Sequence, residues 1–237
     1  MSLRGARGVA LLVTTVTLIV ITVYVVGFSP VLALERVVVS GAPDEVAQTA
    51  VGNADAPIGL PLARVDTSEL TEAVLADSRI EQVDVSRNWP SSIEIEVTVR
   101  TPVAVLAQGG HQRYLVDAQG IAYEKVAQAP SGLPVVSAPG GDVSPASLRG
   151  AVAARQAIAD PWSGDVSSVK VTADGDIRFR VGEIDVHWGP PTEAKAKAAA
   201  LGALLVQEPI DPEADEPLTI DVTAPATPVV TGLPTVP

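Results

Sequence analysis

Two alternating segments separated by a short break form the most regular hydrophobic pattern in the chain. They lie in the run RIEQVDVSRNWPSSIEIEVTVRTPVAVL, from Arg79 to Leu106. Side chains on a strand alternate between the two faces of its sheet, so a period of two predicts strands with one buried and one solvated face. The run therefore predicts a β-hairpin that turns at Asn-Trp-Pro-Ser-Ser, and whose second strand buries Ile93, Ile95, Val97 and Val99.

The segments before this hairpin predict one strand and two helices. LERVVVSG has the β-branched run of a strand that ends in a glycine turn. Asp44 can cap a first short helix, and Asp66 with Glu69 forms the start of a second helix that resembles a capping box. The order strand, helix, helix, strand, strand predicts a small α+β module at 34–103, in which the helices cover the apolar face of the sheet.

The second half of the chain predicts a mixed α/β domain at 104–223 with an antiparallel meander. Its Pro-rich continuation, 224–237, is predicted to be a loose tail, because proline cannot donate to a strand ladder. Glu193 and Lys197 are spaced as an i,i+4 ion pair on the second of two helices. In chain order we predict a hairpin at 111–126, an irregular connection at 131–145, a helix at 145–159, three strands at 167–189, a helix at 192–207 and a short final strand at 218–222.

The beginning of the chain predicts a membrane anchor. No charged residue occurs from Gly8 to Leu34. At about 1.5 Å per residue, a helix over 9–26 spans roughly 27 Å, close to the roughly 30 Å of a bilayer core. Arg4 and Arg7 precede it, so the positive-inside rule predicts a short cytoplasmic tail at 1–8, a transmembrane helix at 9–27 and all later residues outside. A cleaved signal peptide is the alternative, disfavoured because such cores usually run about 7–15 residues.

Composition excludes several classes of function. The net charge of −12 argues against binding to a nucleic-acid backbone, which needs clustered cations. The absence of cysteine excludes disulfides and thiolate metal sites. Aromatic residues make up only 3%, so the core must consist mainly of aliphatic side chains. We predict no cofactor and no metal.

Catalytic motifs are largely missing from the sequence. It contains no GxSxG, HExxH, P-loop or GxGxxG pattern. His111 and His187 are far apart in sequence, which is more typical of surface or core residues than of ligands. Ser167 and Lys170 match Ser-x-x-Lys, but they lie in a strand-like segment without the companion motifs of acyl enzymes. The sequence therefore predicts no enzyme.

Three further features have a simple structural interpretation. Glu94 and Glu96 share a face, but it is the solvated face of the predicted strand. The acidic run DPEADEP lacks the central glycine of a calcium loop, so it predicts a linker. Trp89 is expected to cover the end of the hairpin, with a partner contact as the alternative.

Taken together, these segments resemble the FtsQ/DivIB family of bacterial cell-division proteins. An N-terminal anchor is followed by LERVVVSG and then by GLPLARVDTSELTEAVLADSRIEQVDVSRNWPSSIEIEVTVRTPVAVL, which resembles an FtsQ-type POTRA domain. YLVDAQGIAYEK, LPVV, VHWG with Lys197, LGALL and the final TIDV occur where the family's β domain would have them. The resemblance covers nearly the whole chain after residue 8.

This resemblance implies a non-enzymatic, single-pass membrane scaffold at the division septum, with its bulk outside the cytoplasm. The implied partners are the coiled-coil proteins FtsB (DivIC) and FtsL and, with them, the septal peptidoglycan synthase pair FtsW and FtsI. The expected contact is strand addition at the margin of a sheet. The candidate residues are Leu218, Thr219, Ile220, Asp221, Val222 and Thr223, with Val229 and Val230 along the exit. The alternative is that the tail at 224–237 caps this edge itself.

Two other classes of function remain as alternatives. A POTRA-type component of envelope transport or assembly would carry repeated modules and a C-terminal barrel, whereas this sequence shows one module and no series of barrel strands. An anchored extracytoplasmic hydrolase would need a nucleophile and a base, which the motif search does not find.

Overall fold

The computed structural model describes residues 3–109, 112–158, 161–208, 210 and 218–233, and residues 3–10 as backbone only. The chain divides into two compact units, at residues 1–100 and 101–237. Both units combine helices with a sheet, so the predicted α+β class is confirmed.

A long apolar helix, α1 (Leu3–Phe28), opens the first unit. Among the described residues it is the one helix long and apolar enough to cross a membrane, within the window Leu11–Phe28. Two of its threonines, Thr15 and Thr22, each donate the hydroxyl to the carbonyl oxygen four residues earlier, at 2.9 Å. The helix can therefore carry threonine through an apolar environment.

The rest of the first unit has the predicted order of strands and helices. Its three-stranded sheet has the order β1-β3-β2, with β1 parallel and β2 antiparallel to the central β3. The Asp66 carboxylate accepts from the Ser68 and Glu69 N–H groups, as the capping pattern predicts. The elements are β1 (Arg36–Ser40), α2 (Asp44–Ala54), α3 (Thr67–Leu75), β2 (Ile80–Asn88) and β3 (Ser92–Val99).

The core of the first unit lies between its sheet and its two helices. Ile93, Ile95 and Val97 alternate along β3 and are buried, as the period of two predicts. They pack in one cluster with residues of both helices, including Val46 of α2 and Leu70 of α3. The intervening Glu94 and Glu96 are exposed, which agrees with their interpretation as a solvated face.

The second unit contains a nine-stranded mixed sheet. Its strand order is β12-β11-β10-β9-β8-β7-β4-β5-β6, with parallel pairing at β4–β7, β7–β8 and β10–β11. The strands are β4 (Ala104–Gln108), β5 (Gln112–Val116), β6 (Ala122–Val126), β7 (Val135–Ala138), β8 (Val166–Val171), β9 (Ile177–Val181), β10 (Ile184–Gly189), β11 (Thr219–Asp221) and β12 (Val229–Thr231). The helices are α4 (Pro145–Ala157) and α5 (Ala194–Leu205).

The two helices of this unit share one core with the sheet. Leu148 and Ala151 of α4 and Leu201 of α5 are buried in the same cluster as alternate residues of strands β8 to β11. A smaller cluster on β4, β5 and β6 contains Val105, Leu115 and Tyr123. The opposite face of strands β8 to β11 carries polar and charged side chains.

Three strands of the second unit were not expected from the sequence. The predicted irregular connection contains β7, and no strand was predicted at β4, although the two pair in parallel at the centre of the sheet. The segment predicted as a loose tail contains β12. The predicted hairpin is confirmed as β5 and β6, and the predicted meander as β8, β9 and β10.

Candidate functional site

Strands β11 and β12 form one margin of the nine-stranded sheet. β11 runs parallel to β10, with Asp185 beside Thr219 and His187 beside Asp221. β12 runs antiparallel to β11 and is the outermost strand. Among the described residues no further strand pairs with β12, so its outer backbone edge is available for hydrogen bonding.

The margin lies one strand further out than expected. Thr219, Ile220 and Asp221 were predicted as the open edge, but β12 pairs with all three of them. The physical reason lies in the Val-Val-Thr run of β12, whose β-branched side chains favour a strand. Pro225 and Pro228 do not interfere because they precede the strand, in a turn closed by the Thr227 N–H and the Ala224 carbonyl at 3.0 Å.

The eight candidate residues divide into core and surface positions. The side chains of Leu218, Ile220 and Val222 are buried, and Val230 packs against the same core, so they support the margin from within. Val222 N–H donates to the His187 carbonyl at 2.9 Å and extends the β10–β11 ladder. The surface positions are Thr219, Thr223 and Val229, which are exposed, and Asp221, which is half-buried.

An imidazole between two carboxylates links β11 to the rest of the sheet. His187 Nδ1 lies 3.1 Å from Asp221 Oδ2, and its Nε2 lies 2.9 Å from Asp176 Oδ1. Both ring nitrogens therefore face carboxylates from other segments of the fold. The arrangement therefore indicates a structural link between the β9 turn and the margin.

The Asp221 carboxylate also organises the exit of β11. Its Oδ1 accepts from the Thr223 N–H at 2.8 Å. Burial raises the pKa of Asp221, but hydrogen bonds from Thr223 and the interaction with His187 outweigh it, so its pKa lies below the usual value. The carboxylate is thus ionised at neutral pH and holds the chain where it turns towards β12.

Lys197, predicted to form an i,i+4 ion pair with Glu193, is buried. Its side chain is fully buried, and its Nζ donates to the Pro190 carbonyl oxygen at 2.8 Å. The ammonium also lies 5.9 Å from the centre of the Trp188 ring. Burial lowers the pKa of Lys197, against the attraction of Glu193, Asp176 and Asp221. Lys197 therefore fastens α5 to the end of β10, next to the margin.

Gly189 ends β10 in a conformation that suits glycine. Its φ is +75°, and a Cβ at this position would lie 2.8 Å from Thr223 Oγ1 and 2.9 Å from Thr223 Cγ2. Thr223 is the first residue after Val222, at the exit of β11. The close approach of Gly189 therefore sets where the chain leaves the margin.

The remaining sequence candidates are not brought together. Ser167 and Lys170 lie on β8, a strand, and both are exposed. Trp89 lies at the turn of the hairpin and is 49% exposed. His111 and the acidic run at 211–217 lie outside the described residues. The burial of Lys197 was not predicted, because its i,i+4 spacing from Glu193 carries no sign of it.

Comparison with known proteins identifies the family of both units. Residues 32–100 match the family model described as "POTRA domain, FtsQ-type". Residues 104–222 match the model described as "Cell division protein FtsQ/DivIB, C-terminal". The second match ends at Val222, so it includes β11 but not β12.

Curated relatives agree along most of the chain. A cell division protein FtsQ of Streptomyces bingchenggensis is 36% identical, over 84% of this chain and 76% of the relative. An FtsQ of Streptomyces coelicolor is 34% identical, over 87% of this chain and 84% of the relative. An FtsQ of Mycolicibacterium smegmatis is 28% identical, over 86% of this chain and 58% of the relative. With an apolar helix ahead of both matched domains, the chain belongs to the FtsQ/DivIB family of membrane-associated, non-enzymatic cell-division proteins.

Proposed function

We propose that this protein is a scaffold of the division complex that binds the coiled-coil proteins FtsB (DivIC) and FtsL through the outer edge of β12. Through them it helps to recruit or control the septal peptidoglycan synthase pair FtsW and FtsI. The observation that carries the proposal is the strand Val229–Thr231 at the margin of a large sheet, with which no further strand of the described part of the chain pairs. Membership of a division-protein family supports the class of partner.

Strand addition is the interaction that such a margin supports. An extended partner segment would accept and donate main-chain hydrogen bonds along β12, and its alternate side chains would meet the two faces of the sheet. Thr219, Val229 and Thr231 provide exposed side chains on one face. Val230 lies on the other face and is half-buried against the core.

The opposite margin of the sheet is protected by charge. β6 contains Glu124 and Lys125, and charged side chains on an edge strand disfavour the addition of another strand. β12 carries only valine and threonine. This difference favours β12 over β6 as the site of partner binding.

Two proline variants test the proposal. Along an edge strand, successive N–H groups point alternately inward and outward. Therefore one of the two variants, Val229→Pro or Val230→Pro, removes a backbone N–H that points outward from β12. The other removes an N–H that points towards β11 and so weakens the pairing of β12 with β11. The variant that keeps the wild-type free energy of unfolding should lose co-purification with the FtsB/DivIC protein of the same genome.

The matched control is on the other margin. Prolines at Glu124 and Lys125 should leave co-purification unchanged, provided that the sheet still folds. If the folded β12 variant still captures FtsB/DivIC, or if a folded β6 variant loses it, the contact is not at β12.

The proposal also sets the placement of the chain. Residues 1–8 would be cytoplasmic, 9–27 would cross the membrane, and the domains at 34–103 and 104–223, with the segment 224–237, would lie outside. A fluorescent fusion should form a band at midcell, and depletion should give filamentous or branched cells with failed septa. Diffuse membrane fluorescence throughout division would contradict septal recruitment.

A further inference from the structure

One end of the first unit adjoins the membrane helix through a short connection. α1 ends at Phe28 and β1 begins at Arg36. β3 is parallel to β1 and begins at the same end, whereas β2 is antiparallel and ends there. We call this end the base. It consists of residues 29–35, the loop 55–65 and the hairpin turn 88–91.

Backbone hydrogen bonds hold the three segments of the base together. Leu34 N–H donates to the Leu60 carbonyl, Gly59 N–H donates to the Leu34 carbonyl, and Glu35 N–H donates to the Ser91 carbonyl, each at 2.8 Å. The loop and the hairpin turn therefore have fixed positions relative to the chain that leaves the anchor.

The base carries the most exposed large apolar side chains of the first unit beyond its anchor. Val31 is 75% exposed, Ile58 62% and Trp89 49%, one on each segment of the base. Within the first unit, the other exposed large apolar side chains described after the anchor are less exposed: Val38 48%, Val51 44% and Leu75 42%. A set of such side chains at one end of a small domain marks an interaction surface.

The position of Arg64 relates the base to the end of the anchor. Its guanidinium lies 5.6 Å from the centre of the Phe28 ring, and that ring stacks on Tyr24 at 5.8 Å. Phe28 is also the last residue of the apolar window Leu11–Phe28. Aromatic rings concentrate where a helix leaves the hydrocarbon, and arginine reaches headgroups there. The base therefore adjoins the end of the apolar helix.

The other charges of the base are partly engaged within the fold. The Arg87 guanidinium donates to the Leu62 and Val65 carbonyl oxygens. The Glu35 carboxylate accepts from the Ser91 hydroxyl at 3.2 Å. Three further exposed charges, Arg36, Asp55 and Asp66, lie near this end, and Asp66 caps α3.

We propose that the base rests on the leaflet from which the anchor emerges, with Val31, Ile58 and Trp89 in the boundary between headgroups and acyl chains. The occupant of this surface is the lipid bilayer, because the surface continues directly from the membrane helix. The first unit is then a domain with a fixed orientation on the membrane, whereas a flexible tether would leave its base in water.

The absence of native cysteine makes single-site labelling straightforward. Ile58→Cys and Trp89→Cys place a nitroxide at the base, and Leu75→Cys places one at the opposite end as the matched control. The full chain is reconstituted in vesicles of phosphatidylethanolamine and phosphatidylglycerol. For each label we measure the ratio of its accessibility to oxygen to its accessibility to a water-soluble nickel chelate. This ratio should be several-fold higher for the labels at the base than for the label at Leu75.

A second measurement avoids cysteine at the hairpin. Brominated lipids should quench the fluorescence of the native chain, and Trp89→Phe should remove most of that quenching. Trp162 and Trp188 contribute equally to both samples and lie in the other unit.

The two measurements have outcomes that oppose the proposal. Equal accessibility at Ile58, Trp89 and Leu75 would show that the base is in water. Quenching unchanged by Trp89→Phe would contradict insertion of this ring. Protection of the base in cells but not in lipid vesicles would assign the surface to a protein partner and overturn the lipid assignment.

Discussion

The contact between Gly189 and Thr223 gives the sharpest stability prediction at the margin. Gly189→Ala forces an L-residue into a φ of +75° and places a Cβ 2.8–2.9 Å from both branches of Thr223. Each staggered rotamer of Thr223 leaves at least one of its two heavy branches directed towards Gly189, so no simple rotamer change removes the overlap entirely. The Thr223 Cβ itself lies 3.2 Å away.

The expected magnitude follows from two separate effects. A left-handed conformation costs alanine about 1–2 kcal/mol. Overpacking against a constrained neighbour typically costs about 1–3 kcal/mol. We therefore expect Gly189→Ala to lower the free energy of unfolding of the second unit by about 2–5 kcal/mol.

A double-mutant cycle separates the two effects. In a Thr223→Ala background the overlap is largely removed, so Gly189→Ala should cost only the backbone strain of about 1–2 kcal/mol. The assay is urea unfolding of the chain without residues 1–33, followed by tryptophan fluorescence. Trp188 is a suitable reporter because it is buried beside Gly189 and lies 5.5 Å from the Phe179 ring.

Two results would refute this reasoning. Gly189→Ala within about 0.5 kcal/mol of wild type would show that neither strain nor overlap exists at this position. A large effect that is the same in both backgrounds would show that Thr223 does not restrict the position, and that the strain is in the backbone alone.

Three further changes have defined outcomes. Lys197→Met should destabilise the second unit by about 1–3 kcal/mol, because the Pro190 carbonyl loses its donor. Burial lowers the pKa of Lys197 below 10.5, so the difference in unfolding free energy between wild type and Lys197→Met should grow as the pH of unfolding titrations rises towards 10.5. Asp77→Asn should cost roughly 1 kcal/mol at neutral pH, because Arg79 pairs with Asp77 at 2.7 Å and lowers its pKa below 3.8. The stability difference between wild type and Asp77→Asn is fully present above pH 3.8 and should vanish as pH falls through the folded-state pKa of Asp77. A stability difference that persisted in strong acid would contradict this explanation. Ile220→Ala should cost about 2–5 kcal/mol by calorimetry, since the side chain is fully buried under the margin.

The sequence predicts the first unit well because its signals are local. Alternation along β3 follows from one buried and one wet face, and the structure buries Ile93 and Ile95 as predicted. The start of α3 follows from Asp66, whose carboxylate caps Ser68 N–H at 2.9 Å. Each of these signals involves residues that are neighbours in the chain.

The centre of the second sheet is less predictable because its pairings are distant in sequence. Val105 of β4 is aligned with Val135 of β7, and Val136 of β7 with Val169 of β8. These strands are short, and most residues of β4 are buried, so no alternation marks them. Such parallel partners are separated by a whole intervening element, the β5–β6 hairpin between β4 and β7 and the helix α4 between β7 and β8, so no local signal pairs them.

The candidate site was also predicted only in part, because its deciding contacts join segments that are distant in sequence. The β11 strand was predicted from its own residues, but the prolines near β12 concealed the strand that covers it. Lys197 has the spacing of a surface ion pair, and only the position of the Pro190 carbonyl shows that the ammonium is buried. In both cases the deciding partner belongs to another segment.

The parallel pairing of β7 with β8 has a mechanical consequence. This ladder aligns only two residue pairs, Val136 with Val169 and Ser137 with Lys170, whereas every other ladder of the sheet aligns three or more. A force that pulls β12 away from β4 acts across this ladder, and we expect the hydrogen bonds between β7 and β8 to break first. Because α4 connects the two strands covalently, the separated halves would stay tethered and could close again when the load is released.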